Sequence, residues 1–386
     1  MKPRPRKETV TMAIATCLAL LVGCGDLCED CECECDTDDP GGGDGVNGLP
    51  FVPSNLEGLD LEGLDGDLVF DGTTCDTGML NFELGEAGCT SDDSSWEYFE
   101  LEQSDGSLIG VFAARNIRVE QTIDLRAHGS LPIALVATGE VTIAGVLDGG
   151  PNLLTDGMSG GFDSPDVTDS SHEGNGPGGG EAGAEDHGGG GGSYCGAGGQ
   201  GGNGEDSGAV YGHAELVPLI GGSSGGNIFS GAGGGALQIV AGEKIRITAS
   251  GAITVPGGGG QWGGGGSGGA VLLEAPSVIV DGTVAANGGG GSGGGSGDGE
   301  SGLIGDQPAS GAYDPDSPHN AGGNGGAGDD PDGEDGLCDD PPCYIPGSGG
   351  GGAGRIRINA EQDGAEISGI LSPSPETDCT TIGVID

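Results

Sequence analysis

A two-part pattern of alternating apolar residues recurs along this chain and constrains its fold more than any other feature. The pattern is apolar-x-apolar-x-Ala, a short break, then apolar-x-apolar and Gly. Side chains alternate between the two faces of a strand, so each half predicts a short strand with one buried face. The copies of the first half end at Ala127, Ala137, Ala241, Ala275 and Ala360.

The predicted strands are too small to form separate cores. Their inward positions carry aliphatic residues, alanine and glycine, and aromatic residues make up only 4% of the chain. Such units become stable when they stack and share one narrow core. The sequence therefore predicts an all-β fold with a parallel β-helix or solenoid over 113–374, after an N-terminal β cap region at 68–112 and before a C-terminal tail at 375–386. A β-sandwich is the alternative, because the copies are irregularly spaced.

Long glycine runs separate the strand units. Glycine supplies 92 of the 386 residues, and the runs are Gly149–Gly235, Gly257–Gly269, Gly288–Gly302 and Gly322–Gly352. Glycine loses the most backbone freedom on ordering, which favours disorder. Without Cβ atoms, however, extended chains with three residues per turn can pack side by side. We expect loops that project from one side of the solenoid and partly pack together, with disordered loops as the alternative.

Three stretches carry a resemblance to a known group of proteins. GGAVLLEAPSVIVDGTVAANGGGG, ALVATGEVTIAGVLDGG and GGGGAGRIRI resemble the glycine-rich secreted and surface proteins of myxobacteria. The resemblance covers approximately residues 110–372 and contains no catalytic motif. Such proteins are often labelled similar to mycobacterial PE-PGRS proteins, although this sequence does not open with their helical Pro-Glu domain. The resemblance implies a secreted or surface protein.

The N-terminal sequence MKPRPRKETVTMAIATCLALLVGC is typical of a secretion signal. It has a basic start, an apolar stretch at 11–22 and a small residue before Cys24. The apolar stretch is too short to cross about 30 Å of hydrocarbon as a helix. Its end, LVGC, resembles the bacterial lipobox, which implies that Cys24 carries the lipid. We expect a lipoprotein signal peptide at 1–23 and a lipid anchor in the outer membrane at the cell surface; ordinary signal cleavage is the alternative.

The cysteines indicate disulfides. Twelve cysteines, less Cys17 in the signal and Cys24 under lipid, leave ten, and an even number in an exported chain favours pairing. The candidate pairs are Cys75 with Cys89 and Cys338 with Cys343, by proximity in sequence, and Cys195 with Cys379, by elimination.

Residues 24–67 form a cysteine-rich, acidic segment. Its composition cannot bury enough apolar area to offset chain entropy, so it is interpreted as a flexible tether. A metal site is the alternative for its four clustered cysteines. The acids around them should raise the thiol pKa and oppose the thiolate that metals need, so a small cross-linked knot is favoured. The clustered cysteines are Cys28, Cys31, Cys33 and Cys35.

The charge of the chain is extreme. It has 61 acidic and 11 basic residues, a formal net charge of −50, and four of the bases lie within residues 2–7. Such a chain is repelled by phosphate backbones, which excludes nucleic acid as a partner. We expect no cofactor and no dedicated metal site, only weak, low-specificity Ca²⁺ binding by acidic loops.

No motif of the sequence indicates a catalytic activity. The GxSxG match Gly265–Gly269 precedes a predicted strand, whereas a nucleophile elbow needs strand, turn and helix. We expect a non-catalytic structural or adhesive role, with the membrane, extracellular polysaccharide or other surface proteins as partners. The alternative is a β-helix polysaccharide lyase or glycosidase with carboxylates and bases on an outer face. Its candidate residues are Lys244, Arg246, Arg355, Arg357, Asp281 and Glu274.

Overall fold

The computed structural model describes residues 48–385, apart from 73–76, 82–85, 92–93, 153, 184–187, 295–296, 314–319 and 339–344. These residues belong to one compact unit, Gly43–Asp386. The predicted signal peptide, the lipid site Cys24 and the four clustered cysteines lie outside the described residues. Across the described segments no helix is long and apolar enough to cross a membrane.

The described strands, numbered in chain order, form three sheets. Sheet A has the order β1 (Leu68–Phe70), β6 (Ile117–Val119), β9 (Glu140–Ile143), β12 (Lys244–Ile247), β15 (Ser277–Val280) and β18 (Ala365–Ile367). Sheet B has the order β19 (Ile370–Ser372), β16 (Thr283–Ala285), β13 (Ala252–Thr254), β10 (Val146–Asp148), β7 (Asp124–His128), β2 (Thr77–Asn81) and β3 (Glu86–Gly88). Sheet C has the order β20 (Thr380–Val384), β17 (Arg355–Ala360), β14 (Ala270–Glu274), β11 (Ala236–Ala241), β8 (Ile133–Ala137), β5 (Leu108–Ala114) and β4 (Glu97–Glu102).

The two-part sequence pattern corresponds to two sheets. Its first half forms a strand of sheet C and its second half forms the next strand, in sheet A; a third short strand follows in sheet B. From β5 onward the chain visits sheets C, A and B in turn, and neighbours within each sheet are parallel. Equivalent positions of the pattern therefore become neighbours, as where Ala137 pairs with Ala241.

The fold class predicted from the sequence, a parallel β-helix or solenoid, is wrong. The described strands form three open sheets, none of which closes on itself. Sheets B and C each end in an antiparallel pair, β2 with β3 and β4 with β5. The β-sandwich alternative also fails, because it needs antiparallel sheets and most of these pairs are parallel. The body is an open, strand-rich fold of three mainly parallel sheets.

One apolar core lies between the three sheets. Its side chains occupy every second position of the strands, and nearly all are fully buried. Burying aliphatic side chains at about 25 cal/mol per Å² is the main stabilising contribution to such a core. The core includes Leu68, Ile117, Leu125, Ile133, Leu135, Ile239, Ile245, Ile247, Ile253, Val271, Leu273, Val280, Val284, Ile356 and Ile358.

Sheet C is also buried on its second face. Residues 48–64, the end of the segment interpreted as a flexible tether, lie there with Phe51, Leu56 and Leu61 at most 3% exposed. They share a second apolar cluster with sheet C residues such as Val136 and Leu272. The tether therefore cannot extend to residue 67. The predicted C-terminal tail likewise contains a strand, β20.

The glycine runs form a hydrogen-bonded layer, which we call the glycine array. Successive residues donate N–H bonds to different neighbouring segments, and the choice of neighbour repeats every third residue. This is the geometry of polyproline-II-type chains, which have three residues per turn and no internal hydrogen bonds. Residues 348–354 show the three-residue repeat in their backbone N–H donors. The N–H groups of Ser348, Gly351 and Gly354 donate to the carbonyl oxygens of Ser292, Gly289 and Ala286 in one neighbouring segment. Those of Gly349 and Gly352 donate to Gly189 and Gly192 in a second segment, and those of Gly350 and Ala353 donate to Glu334 and Pro331 in a third.

Close packing explains why the array contains so much glycine. A Cβ atom added to Gly191, Gly264 or Gly350 would lie within 3.0 Å of a backbone carbonyl oxygen in a neighbouring segment. No rotamer change can relieve such a contact, because both sides are backbone. The expectation of projecting, partly packed loops therefore understated their order: the runs contain fully buried stretches, such as 188–194, 221–227 and 263–269, whose backbones are hydrogen-bonded to neighbouring segments.

Candidate functional site

The residues proposed for a lyase or glycosidase site do not come together. Arg246 pairs with Asp281 at 2.7 Å on the outer face of sheet A, where Lys244 pairs with Glu140 at 2.6 Å. Both pairs are partly exposed, and a base neutralised by its neighbour is poorly placed to receive an anionic sugar. Neither pair contacts Glu274, which lies on the buried second face of sheet C.

The remaining two bases have structural contacts. The Arg355 guanidinium donates to the Tyr211 carbonyl oxygen at 3.2 Å and lies 5.8 Å from the centre of the Tyr194 ring. Arg357 donates from Nε to the Asn359 side chain at 2.7 Å. The Arg355 contacts join sheet C to the glycine array, whereas the Arg357 contact lies within β17. Neither set forms a paired-carboxylate site.

Glu274 holds residues 48–64 on sheet C. Its carboxylate accepts hydrogen bonds from the backbone N–H and the hydroxyl of Ser54, from Gln238 Nε2 at 2.7 Å and from Asn359 Nδ2 at 3.0 Å. Burial raises the pKa of Glu274, although these hydrogen bonds oppose the shift. With its oxygens occupied by protein donors, the carboxylate serves packing and not chemistry.

A disulfide joins Cys195, in the glycine array, to Cys379, directly before β20. Cys89 and Cys338 are also disulfide-bonded. Their predicted partners, Cys75 and Cys343, lie outside the described residues. The Cys195–Cys379 bond links segments that the sequence separates by 184 residues, and so it fastens the array to the last strand of sheet C.

The described residues contain no group of three or more His, Cys, Asp or Glu side chains arranged to hold a metal ion.

A surface pocket lies in the glycine-rich part of the fold. Its volume is about 380 Å³. The walls come from residues 155–175, and Phe229 approaches from the next segment of the array. The lining residues that matter most are Asp156, Asp163, Asp166, Val167, Asn175 and Phe229.

Phe229, on the pocket wall, packs against a second exposed aromatic residue, Trp262, which lies outside the pocket lining. Phe229 is 39% exposed and Trp262 is 48% exposed, although both are large apolar side chains. Their ring centres are 5.4 Å apart and their planes are nearly perpendicular. Val167, on the pocket wall, is 63% exposed. Apolar side chains held at a surface beside a pocket are typical of a binding site.

Three carboxylates supply the polar side of the pocket. Asp163 accepts a hydrogen bond from the Gly157 N–H at 2.7 Å, and its partial burial raises its pKa. Asp166 accepts bonds from the N–H and the hydroxyl of Thr168, which lower its pKa. Asp156 completes the set and adds to the raised pKa of Asp163 through charge repulsion. The lining therefore presents hydrogen-bond acceptors and negative charge.

Phe229, on the pocket wall, and two residues of nearby segments have unusual backbone conformations. Leu154, Asn227 and Phe229 have φ of 69°, 78° and 56°, a region that few non-glycine residues adopt. Each is held by backbone bonds: the Leu154 carbonyl accepts from Ala232, and the Phe229 carbonyl accepts from Gln261. Strain of this kind persists only where the surroundings impose it, and it is common at ligand sites.

No protein-family model, curated protein or solved structure matches this chain.

Sequence reasoning missed this pocket because it assigned the whole of Gly149–Gly235 to glycine-rich loops. One signal was available. In a chain with only two tryptophans and 4% aromatic residues, an aromatic side chain inside a glycine run needs a reason, and Phe229 and Trp262 are two such cases.

Proposed function

We propose that this protein is a lipid-anchored protein of the cell surface with a non-catalytic adhesive role, and that it binds polysaccharide at the Phe229 pocket. The observation that carries the proposal is the exposed Phe229–Trp262 pair beside a carboxylate-lined pocket. A sugar ring has an apolar C–H face that packs against aromatic rings and hydroxyl groups that donate to carboxylates. The pocket offers both kinds of contact.

The charge of the pocket restricts the class of polysaccharide that can bind there. Asp156, Asp163 and Asp166 line it, and none of its described lining residues is Lys or Arg, within a chain of net charge −50. A uronate or sulfated polymer would be repelled by this field. A neutral or amine-bearing polysaccharide is therefore the expected ligand.

The first prediction tests the aromatic pair. We expect Phe229→Ala or Trp262→Ala to weaken binding of a neutral or amine-bearing polysaccharide by about tenfold or more, since each removes an aromatic surface that a sugar ring would cover. Isothermal titration calorimetry against a panel of neutral, amine-bearing and acidic polysaccharides measures the change. The matched control is Tyr313→Ala, because Tyr313 is 64% exposed and does not line the pocket.

Three results would contradict the proposal: no saturable binding by the wild-type protein, equal loss in the Tyr313→Ala control, or preferential binding of acidic polymers. Chromatography of the polysaccharide after incubation distinguishes the enzymatic alternative, because new reducing ends or unsaturated products would show that the polymer is cut.

The second prediction concerns the anchor and rests on the lipobox resemblance. If Cys24 carries lipid, Cys24→Ala should remove the acyl mass from the protein and release it from the membrane fraction. Mass spectrometry of the mature N-terminus and cell fractionation measure the two effects. A wild-type protein without acyl mass, or a variant that still partitions into membranes, would exclude lipid anchoring at Cys24.

A further inference from the structure

The apolar core is left open at one end of the three sheets. The last strands, β18, β19 and β20, each pair with one described neighbour only. In β20, Ile382 and Val384 pair with Ile358 and Ala360, which face the core, so they point to the same side. Ile358 and Ala360 are fully buried, whereas Ile382 is 51% and Val384 57% exposed.

The opposite end of the core is covered. There β4 adds an antiparallel strand to β5, and two aromatic rings close over Phe112. Trp96 and Tyr98 have ring centres 5.3 Å and 5.0 Å from that of Phe112, which is fully buried. Within the described residues, aromatic side chains therefore cover the end of the core at β4 and β5, and the end at β18, β19 and β20 is exposed.

The exposed edge is held in place by a disulfide and by side-chain hydrogen bonds. The Cys195–Cys379 disulfide fixes the residue before β20. The Thr380 hydroxyl donates to Pro373 at 2.6 Å, and the Thr381 hydroxyl donates to Ala214 at 3.2 Å. A strand that is ordered in advance loses little entropy when another strand adds to it.

Acidic residues surround this open end. Its exposed carboxylates belong to Glu361, Asp363, Glu366, Glu376 and Asp378. The sequence contains no Lys, Arg or His after Arg357. A second copy of the chain would bring an identical acidic rim against this one, whereas a basic partner would neutralise it.

We propose that the open end, formed by β18, β19 and β20, is a docking surface for a partner protein that adds an extended segment with alternating aliphatic and basic residues. The aliphatic side chains of the partner cover Ile382 and Val384. Its backbone pairs with the free edge of sheet C, as in other cases of strand addition. Its basic side chains meet the acidic rim. This surface is separate from the Phe229 pocket, so the proposal stands or falls independently of polysaccharide binding.

The test uses the intact protein and a fluorescein-labelled synthetic peptide that alternates valine and lysine. We expect saturable binding by fluorescence anisotropy, weakened about tenfold or more in Ile382→Asn and in Val384→Asn. These substitutions leave the charge of the protein unchanged. The matched control is Leu108→Asn, since Leu108 is 42% exposed but lies in β5, near the opposite end of sheet C. Thermal melting followed by circular dichroism verifies that each variant folds.

Three outcomes would overturn the proposal. Equal binding of a peptide with the same lysines in scrambled order would show that charge alone attracts it. Unchanged affinity in both Ile382→Asn and Val384→Asn would place the peptide elsewhere. A wild-type dimer in light scattering that Ile382→Asn converts to a monomer would make a second copy the occupant.

Discussion

Replacing Gly350 by alanine is expected to lower the free energy of unfolding by about 3 kcal/mol or more, a large effect for one methyl group. The new Cβ would lie within 3.0 Å of the Asn324 carbonyl oxygen, and both contacting groups are fixed by backbone hydrogen bonds. Relief would require two segments of the array to move apart. Urea denaturation followed by circular dichroism measures the loss.

Gly204→Ala is the control for this change. Gly204 has a φ of 91° and open space where a Cβ would be built. Alanine there costs only the left-handed backbone conformation, about 1 kcal/mol. Equal losses in the two variants would show that glycine is needed for backbone freedom and not for close packing, and the array would need another explanation.

An aspartate at Ile247 is expected to lower the free energy of unfolding by about 4 kcal/mol. Ile247 is fully buried in the core shared by the three sheets, and the new carboxylate would have no basic partner there. The loss should decrease at acidic pH, because a protonated carboxyl is cheaper to bury. Denaturation midpoints at neutral and acidic pH measure both effects.

Ile279→Asp is the matched control in the same sheet. Ile279 faces outward, with Arg246 and Glu366 as its two cross-strand neighbours, so the new charge would meet water, a guanidinium and one like charge. A change below about 1 kcal/mol is expected. If the two substitutions cost the same, the assignment of inward and outward faces in sheet A would be wrong.

The strands could be read from the sequence because period-two alternation is local. Ile133, Leu135 and Ala137 alternate with neighbours that face away from the core, and the next strand repeats the rule. Whether the sheets close on one another depends on residues far apart in the chain, which this alternation does not record. Nothing in the alternation shows that the sheets stay open or that β2–β3 and β4–β5 are antiparallel, so the predicted class was wrong even though many strand positions were recognised.

The glycine array and the pocket could not be predicted from the sequence, for a different reason. All glycines look alike in a sequence, and the neighbour of Gly350 is chosen by the fold of segments far away in the chain. The pocket needs Asp163 and Phe229 from separate segments of one glycine run. Composition had assigned residues 48–64 to a tether, although their leucines are spaced to pack on sheet C.

The three-residue period of the array has a consequence for how such a chain can change in length. Adding or removing three residues in a glycine run would shift the rest of that segment along its axis by one full turn. Every later N–H would still point toward the same neighbouring segment as before. One added codon would turn each later donor toward the wrong segment, as a one-residue slip does in a strand. Differences in the length of these glycine runs among natural variants of this protein should therefore be multiples of three residues.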